Sequence, residues 1–149
     1  MKWMTSCLRI GVTGHRSLPE DPALAARVEN SVRRLVAMAE GAPCLVVVSA
    51  LAPGADRLVA ETVLREPGAE LEALLPMPPD QCEQDFPEPE LRAEFRELLH
   101  RAREIDVVPS TGSRRANFES AGLAMLDRID VLLALWDGEP ARGQGGTAQ

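Results

Sequence analysis

The chain has 149 residues, of which 45% are apolar and 26% are charged, and its formal net charge at pH 7 is −7. These values are typical of one globular domain with a buried core, and they exclude a disordered chain. The negative charge argues against a nucleic-acid partner. No apolar segment is long enough to span a membrane, and residues 1–6 lack the apolar core of a signal peptide. We therefore expect a cytoplasmic protein without membrane contact.

Three cysteines, Cys7, Cys44 and Cys82, are an odd number and lack the spacing of a zinc site or of a disulfide framework. The sequence thus predicts three free thiols and no metal, and it indicates no cofactor.

Short apolar segments rich in β-branched residues alternate with amphipathic patterns along the chain. The predicted strands are Leu8–Gly14, Cys44–Ala50, Leu71–Leu75, Ile105–Val108 and Val131–Trp136. The predicted helices lie at about 22–40, 54–66, 91–102 and 118–125, with a proline-broken loop at 76–89. This alternation is typical of an α/β fold with a parallel sheet covered on both faces.

A glycine-rich segment, 139–149, follows the predicted fifth strand and should open another helix. We expect one domain over residues 1–149 that is truncated after the fifth strand and lacks its last helix and strands. One face of the fifth strand would then lack its cover.

Three loops at the carboxyl ends of the strands, where parallel sheets bind ligands, have a composition that suits phosphate. In the first, Gly14 permits close backbone approach, and Arg16 beside His15 can make a forked contact with phosphate. The alternative is that the glycine only relieves a tight crossing from strand to helix.

The second loop begins at Ser49 and leads into a helix that starts near Gly54 and Ala55. The free amides of that helix start would suit an anion.

Three charged residues near that helix start have plainer interpretations beside the functional one. Asp56 is either a ligand contact or a partner of the helix dipole, and Arg57 is either a ligand contact or a solvated charge. Glu61, one turn further on, is a weak catalytic candidate, since most such glutamates face solvent.

The third loop contains Gly143, Gly145, Gly146 and Thr147, a composition that can form an amide cradle for phosphate. It is neither a Walker A loop nor the dinucleotide fingerprint G-x-G-x-x-G. Asp137, at the end of the predicted fifth strand, is a candidate contact for a ribose.

Together, Gly-Val-Thr-Gly-His-Arg, Ser-x-Leu-Ala-x-Gly-Ala-Asp-Arg and Gly-x-Gly-Gly-Thr-Ala resemble the SLOG superfamily of Rossmann-like nucleotide-binding domains, over residues 8–148. That superfamily includes the LOG-type phosphoribohydrolases and the DNA-processing protein A fold. The resemblance implies a three-layer αβα sandwich with strand order 3-2-1-4-5. It also implies that a ligand phosphate lies near Gly145, Gly146 and Thr147, in a cleft lined by Gly14, His15, Arg16, Ser49, Gly54 and Asp56.

The leading functional expectation is a sensor or regulatory domain for a nucleotide or a nucleotide-derived small molecule. The alternative is a LOG-like nucleoside 5′-monophosphate phosphoribohydrolase that uses Asp56 or Glu61, because the family's catalytic glutamate would fall just beyond Gln149. A third is single-stranded DNA binding, which the negative charge disfavours. We also expect a homodimer or larger homo-oligomer, because an uncovered fifth strand favours pairing.

Overall fold

A computed structural model describes residues 7–14, 21–39, 42 and 44–135 of the chain. The strands are β1 (Leu8–Gly14), β2 (Leu45–Ser49), β3 (Glu70–Leu75), β4 (Glu104–Val107) and β5 (Val131–Leu135). The helices are α1 (Pro22–Met38), α2 (Ala55–Leu64), α3 (Pro79–Cys82), α4 (Pro89–Arg101) and α5 (Arg114–Leu126). All five predicted strands and all four predicted helices are confirmed.

Two helix starts show why the sequence marks some boundaries well and others poorly. The Asp21 carboxylate accepts a hydrogen bond from the Ala23 amide (2.9 Å), so the predicted start of α1 is correct. The prediction of a loop over 76–89 is partly wrong, since this segment contains α3 and a 3-10 turn at Glu83–Asp85. Pro79 occupies the first turn of α3, where a helix tolerates proline.

All five strands run parallel in the order β4-β3-β2-β1-β5, which confirms the expected α/β, Rossmann-like class. The order agrees with the expected 3-2-1-4-5 in its β3-β2-β1 core and in β5 lying beyond β1. It differs for β4, which lies outside β3 instead of between β1 and β5. Arg103, just before β4, pairs with Glu70 and, at 2.8 Å, with Glu72, and these contacts hold β4 against β3.

The helices cover the two faces of the sheet unequally. Three successive right-handed crossovers step in one direction, from β1 to β4, so α1, α2 and α4 lie on one face. The return from β4 to β5 reverses direction and places α5 on the other face. The two buried clusters reflect this division: Val32, Val59 and Phe95 pack with Ile10 on the first face, and Ala121 packs with Val46, Val48 and Leu74 on the second.

A charged cluster shares the second face with α5. Glu72 is only 5% exposed, and Arg9 binds its carboxylate with its two terminal nitrogens, Nη1 and Nη2. Burial acts to raise the pKa of Glu72, but hydrogen bonds from Arg9 and Arg103 outweigh it and hold that pKa below its ordinary value. Part of the sheet is thus covered by ion pairs instead of apolar packing.

The prediction of three free thiols is wrong for two of the cysteines, because Cys7 and Cys44 form a disulfide. They immediately precede β1 and β2, whose first residues are aligned, and their Cα atoms are 4.5 Å apart. Only the strand pairing brings them together, so their spacing in sequence gives no sign of it. Cys82 is a free, buried thiol, and burial raises its pKa.

Candidate functional site

The candidate site lies at the carboxyl ends of β1 and β5, where Gly14 and Leu135 are aligned partners. Strands β2, β3 and β4 extend the sheet on one side of β1, and β5 lies on the other. The pair β1 and β5 therefore flanks the point at which the strand order reverses. Open α/β sheets characteristically bind ligands at such a point.

Gly14 brings three elements of this edge into contact. A Cβ atom on Gly14 would lie 2.6 Å from the Ala55 Cβ and 2.8 Å from the Leu135 carbonyl oxygen. The end of β1, the end of β5 and the first residue of α2 therefore meet with no room for a side chain at position 14. Close packing alone thus accounts for a glycine at this position.

Replacing Gly14 with alanine is expected to destabilise the protein by about 1–3 kcal/mol, because neither neighbour can rotate away from the new methyl group. The matched control is Gly122→Ala in α5, where a Cβ meets nothing within 4 Å. That change should instead stabilise the helix by up to about 1 kcal/mol. Urea unfolding of both variants measures the difference, and a Gly14→Ala protein as stable as the parent would contradict the close packing.

Ser49 and Gly54 shape the loop between β2 and α2. The Ser49 hydroxyl is fully buried and accepts a hydrogen bond from the Leu51 amide (3.0 Å). Leu51 and Gly54 both have positive φ, 59° and 89°. A glycine such as Gly54 adopts this conformation without strain. Ser49 therefore holds the loop in shape, a role that its sequence context did not reveal.

Asp56 lies in the first turn of α2, at the same edge of the sheet. Its carboxylate accepts a hydrogen bond from the Ala52 amide (3.2 Å) and sits favourably at the positive end of the helix dipole. Gly54, the N-cap, has no side chain with which to cap the helix. Asp56 thus stabilises the loop and the start of α2, and a ligand contact by Asp56 stays a prediction.

Arg57 is a buried structural residue, so its interpretation as a solvated charge is wrong. Its side chain is only 3% exposed, and it donates hydrogen bonds to the carbonyl oxygens of Leu51 (2.9 Å) and Leu91 (2.7 Å). Glu94 lies 3.4 Å from the same guanidinium. Arg57 therefore ties the β2–α2 loop to α4, and burial lowers its pKa against the opposing effect of Glu94.

Aromatic rings enclose the Arg57 guanidinium. Its central carbon lies 4.6 Å from the centre of the Phe86 ring and 5.9 Å from that of Phe95. One guanidinium nitrogen, Nη2, is buried and has no hydrogen-bond partner among the described residues. The cation is thus held by carbonyls and ring faces more than by its ion pair.

Glu61 lies on α2 and is partly buried. Burial raises the pKa of its carboxyl group, and the charge of Glu94 raises it further. The other charges that act on it, Arg65, Glu97 and Arg101, also belong to or adjoin α2 and α4. Glu61 lies six residues beyond Ala55 on α2 and is not among the neighbours that a Cβ on Gly14 would meet.

Asn117 lies on α5, one turn after its start. It is buried, and its Oδ1 accepts hydrogen bonds from the Thr111 amide (2.8 Å) and hydroxyl (2.7 Å). Ser113 caps the helix by accepting from the Ala116 amide (3.1 Å). Asn117 thus fixes the β4–α5 loop.

Seven of the candidate ligand-binding residues lie outside the described residues. They are His15, Arg16, Asp137, Gly143, Gly145, Gly146 and Thr147. In sequence, the segments that hold them directly follow Gly14 and Leu135, the two aligned strand ends. Among the residues that the structure does describe, no three histidines, cysteines or carboxylates are grouped to hold a metal, and no helix is long and apolar enough to cross a bilayer.

Two comparisons with known proteins give no match for this chain. No protein-family model matches it, and a search of curated proteins gives no match. The resemblance to the SLOG superfamily therefore rests on the three loop motifs alone.

Proposed function

We propose that this protein binds a nucleotide, or another phosphate-bearing small molecule derived from one, at the carboxyl edge between β1 and β5, and acts as a sensor or regulatory domain. The observation that carries the proposal is the contact of Gly14 with both Leu135 and Ala55. This contact brings the ends of β1 and β5 next to the N-terminus of α2. The loops that follow these two strands have a composition that suits phosphate. Three features that suit an anion thus converge at one point.

In this proposal, different residues contact different parts of the ligand. Arg16 would make a forked, charge-assisted contact with the phosphate, and the amides of Gly145 and Gly146 would cradle it. Asp137 would accept hydrogen bonds from the ribose hydroxyls. The first turn of α2 would add its positive dipole.

The described contacts favour binding over hydrolysis. The Asp56 carboxylate, at the strand ends, accepts a hydrogen bond from the Ala52 amide, and Glu61 lies more than one turn further along α2. Single-stranded DNA is disfavoured by the net charge of −7 and by an aromatic content of 3%, since such binding depends on cations and stacking rings.

A thermal-shift screen of nucleoside mono- and diphosphates against the parent chain tests the proposal. A nucleotide at one hundred times its dissociation constant should stabilise the fold by about 2.7 kcal/mol. Arg16→Ala should abolish most of that shift for the nucleotide and little of any shift for the matching nucleoside. Arg27→Ala, an exposed arginine of α1, is the matched control and should change neither. The absence of a shift with every nucleotide, or equal losses for nucleotide and nucleoside, would contradict this site.

Self-association and a cytoplasmic location belong to the same proposal. The cytoplasmic expectation comes from the lack of a membrane-length apolar segment and from the composition of residues 1–6. The Cys7–Cys44 disulfide weighs against it, because disulfides persist mainly in oxidising compartments.

A further inference from the structure

The segment 76–89, between β3 and α4, covers the guanidinium of Arg57. Phe86, in this segment, is buried, and the centre of its ring lies 4.6 Å from the central carbon of that guanidinium. The same ring packs edge-on against Phe95, with 5.1 Å between the ring centres. Cys82, also in the segment, is buried in the same core cluster. The segment thus encloses a buried cation near the carboxyl end of β3.

The outer side of segment 76–89 is attached by exposed ion pairs. Arg96 of α4 binds Glu83 (2.6 Å), and Arg114 of α5 binds Asp85. The Arg96 side chain is 66% exposed, and exposed pairs contribute little to stability and are screened by salt. Prolines, which have no amide hydrogen to donate, occupy positions 76, 78, 79, 87 and 89. We therefore expect this segment to open at a lower free energy than the whole domain.

The guanidinium beneath the segment lacks one hydrogen-bond partner. Nε and Nη1 of Arg57 donate to the carbonyls of Leu51 and Leu91, whereas Nη2 is buried without a partner among the described residues. Arg57 belongs to the first turn of α2, and Leu91 to the first turn of α4. The N-cap residues of both helices, Gly54 and Glu88, make no side-chain cap. Since the first amides of a helix carry positive potential, both helix starts favour an anion beside Nη2.

We propose that Arg57 is the centre of a binding site for a small oxyanion, a phosphate or carboxylate group, and that segment 76–89 is the lid that closes it. When the lid opens, Phe86 leaves the guanidinium and Nη2 becomes accessible. The planar edge formed by Nη1 and Nη2 then matches two oxygens of the anion. This site lies on the side of α2 that faces α4, whereas the proposed nucleotide site lies where Ala55 meets Gly14.

Glu94 takes the place of that anion while the lid is closed. Its carboxylate lies 3.4 Å from Nη1 of Arg57, and its side chain is 46% exposed. A well-formed charge-assisted hydrogen bond is shorter, at about 2.7–2.9 Å. Glu94 can therefore turn into solvent at little cost, and an incoming oxyanion replaces one weakly held carboxylate.

The rate at which Cys82 reacts with N-ethylmaleimide measures how often the lid opens. With the Cys7–Cys44 disulfide intact, Cys82 is the only free thiol of the chain, and it is a buried part of the lid. Its reaction rate follows the open population when closing is fast. Sodium chloride should raise the rate by screening the ion pairs of the lid, and Glu83→Gln should raise it at low salt. The matched control, Glu29→Gln, removes an exposed ion pair on α1 and should leave the rate unchanged.

Inorganic phosphate tests the anion site in the same assay. At constant ionic strength, phosphate at about ten times its dissociation constant for the open form should raise the rate about tenfold over chloride. Arg57→Gln should remove this effect. Glu94→Gln should lower the half-saturating phosphate concentration about fivefold, because it removes a competing charge. Glu97→Gln, an equal change of net charge at an exposed position of the same helix, should alter that concentration by no more than about twofold.

Each outcome decides one part of the proposal. A rate that neither chloride nor Glu83→Gln raises would show that segment 76–89 is not a lid. A phosphate effect no larger than that of chloride, or one that survives in Arg57→Gln, would overturn the anion site. Loss of the effect in Arg16→Ala would assign the phosphate to the nucleotide site instead. If Arg57→Gln does not fold, equal responses of Glu94→Gln and Glu97→Gln would overturn the anion site.

Discussion

Reduction of the Cys7–Cys44 disulfide is expected to lower the free energy of unfolding by about 4 kcal/mol. The bond closes a loop with a sequence separation of 37 residues, and a cross-link of that length removes about this much conformational entropy from the unfolded chain. It also joins the first residues before β1 and β2, next to the hydrogen bond from the Leu8 amide to the Cys44 carbonyl (2.9 Å). Urea unfolding with and without a thiol reductant measures the effect.

The control for reduction is the double variant Cys7→Ser, Cys44→Ser. It should be less stable than the oxidised parent by a similar amount, and reductant should not change its stability. Cys82 is present in both proteins, so its buried thiol does not distinguish them. A parent whose unfolding is unchanged by reductant, with full reduction confirmed by mass spectrometry, would contradict this prediction.

Arg57→Ala is expected to destabilise the fold by about 3–5 kcal/mol. The substitution leaves the carbonyls of Leu51 and Leu91 without their donors, and a buried polar group left unsatisfied costs about 1–3 kcal/mol. It also removes the cation from the rings of Phe86 and Phe95, a contact worth about 2 kcal/mol when desolvated. Chemical denaturation compares the variant with the parent.

Two further variants separate the charge of Arg57 from its geometry. Arg57→Lys keeps a cation but lacks the planar fork that reaches two carbonyls, so it should recover only part of the lost stability. Arg65→Ala removes an exposed arginine at the end of the same helix and should change stability by no more than about 0.5 kcal/mol. An Arg57→Ala protein as stable as Arg65→Ala would show that the buried contacts contribute nothing.

The secondary structure was predictable because its signal is local. Each strand is a short apolar segment, and α1 begins where Asp21 and Pro22 form a typical helix start. The position of β4 in the sheet was not predictable, because it depends on contacts between residues distant in sequence, such as those of Arg103 with Glu70 and Glu72. The same holds for the disulfide, whose partners become neighbours only through strand pairing.

The meeting of the β1 end with the start of α2 was predictable, and the contacts of individual residues there were less so. Gly14 and Ala55 do meet at the carboxyl edge, as the crossing rules of parallel sheets require. The burial of Arg57 has no sequence signal, since arginines in a first helical turn are usually exposed and its aromatic neighbours lie about 30 residues or more further along. Arg16 and the glycine loop 143–147 stay predictions.

The pairing of β1 with β5 makes this fold depend on a strand that is synthesised after the four other described strands. The hydrogen bond from the Arg9 amide to the Asp130 carboxylate joins residues 121 positions apart. As the chain leaves the ribosome, β2, β3 and β4 can each dock beside the strand made just before, but one side of β1 must wait for residues 131–135. A nascent chain therefore carries one unpaired edge of β1 until β5 has been made, and a ligand that binds beside Gly14 and Leu135 can act only after these two strands have paired.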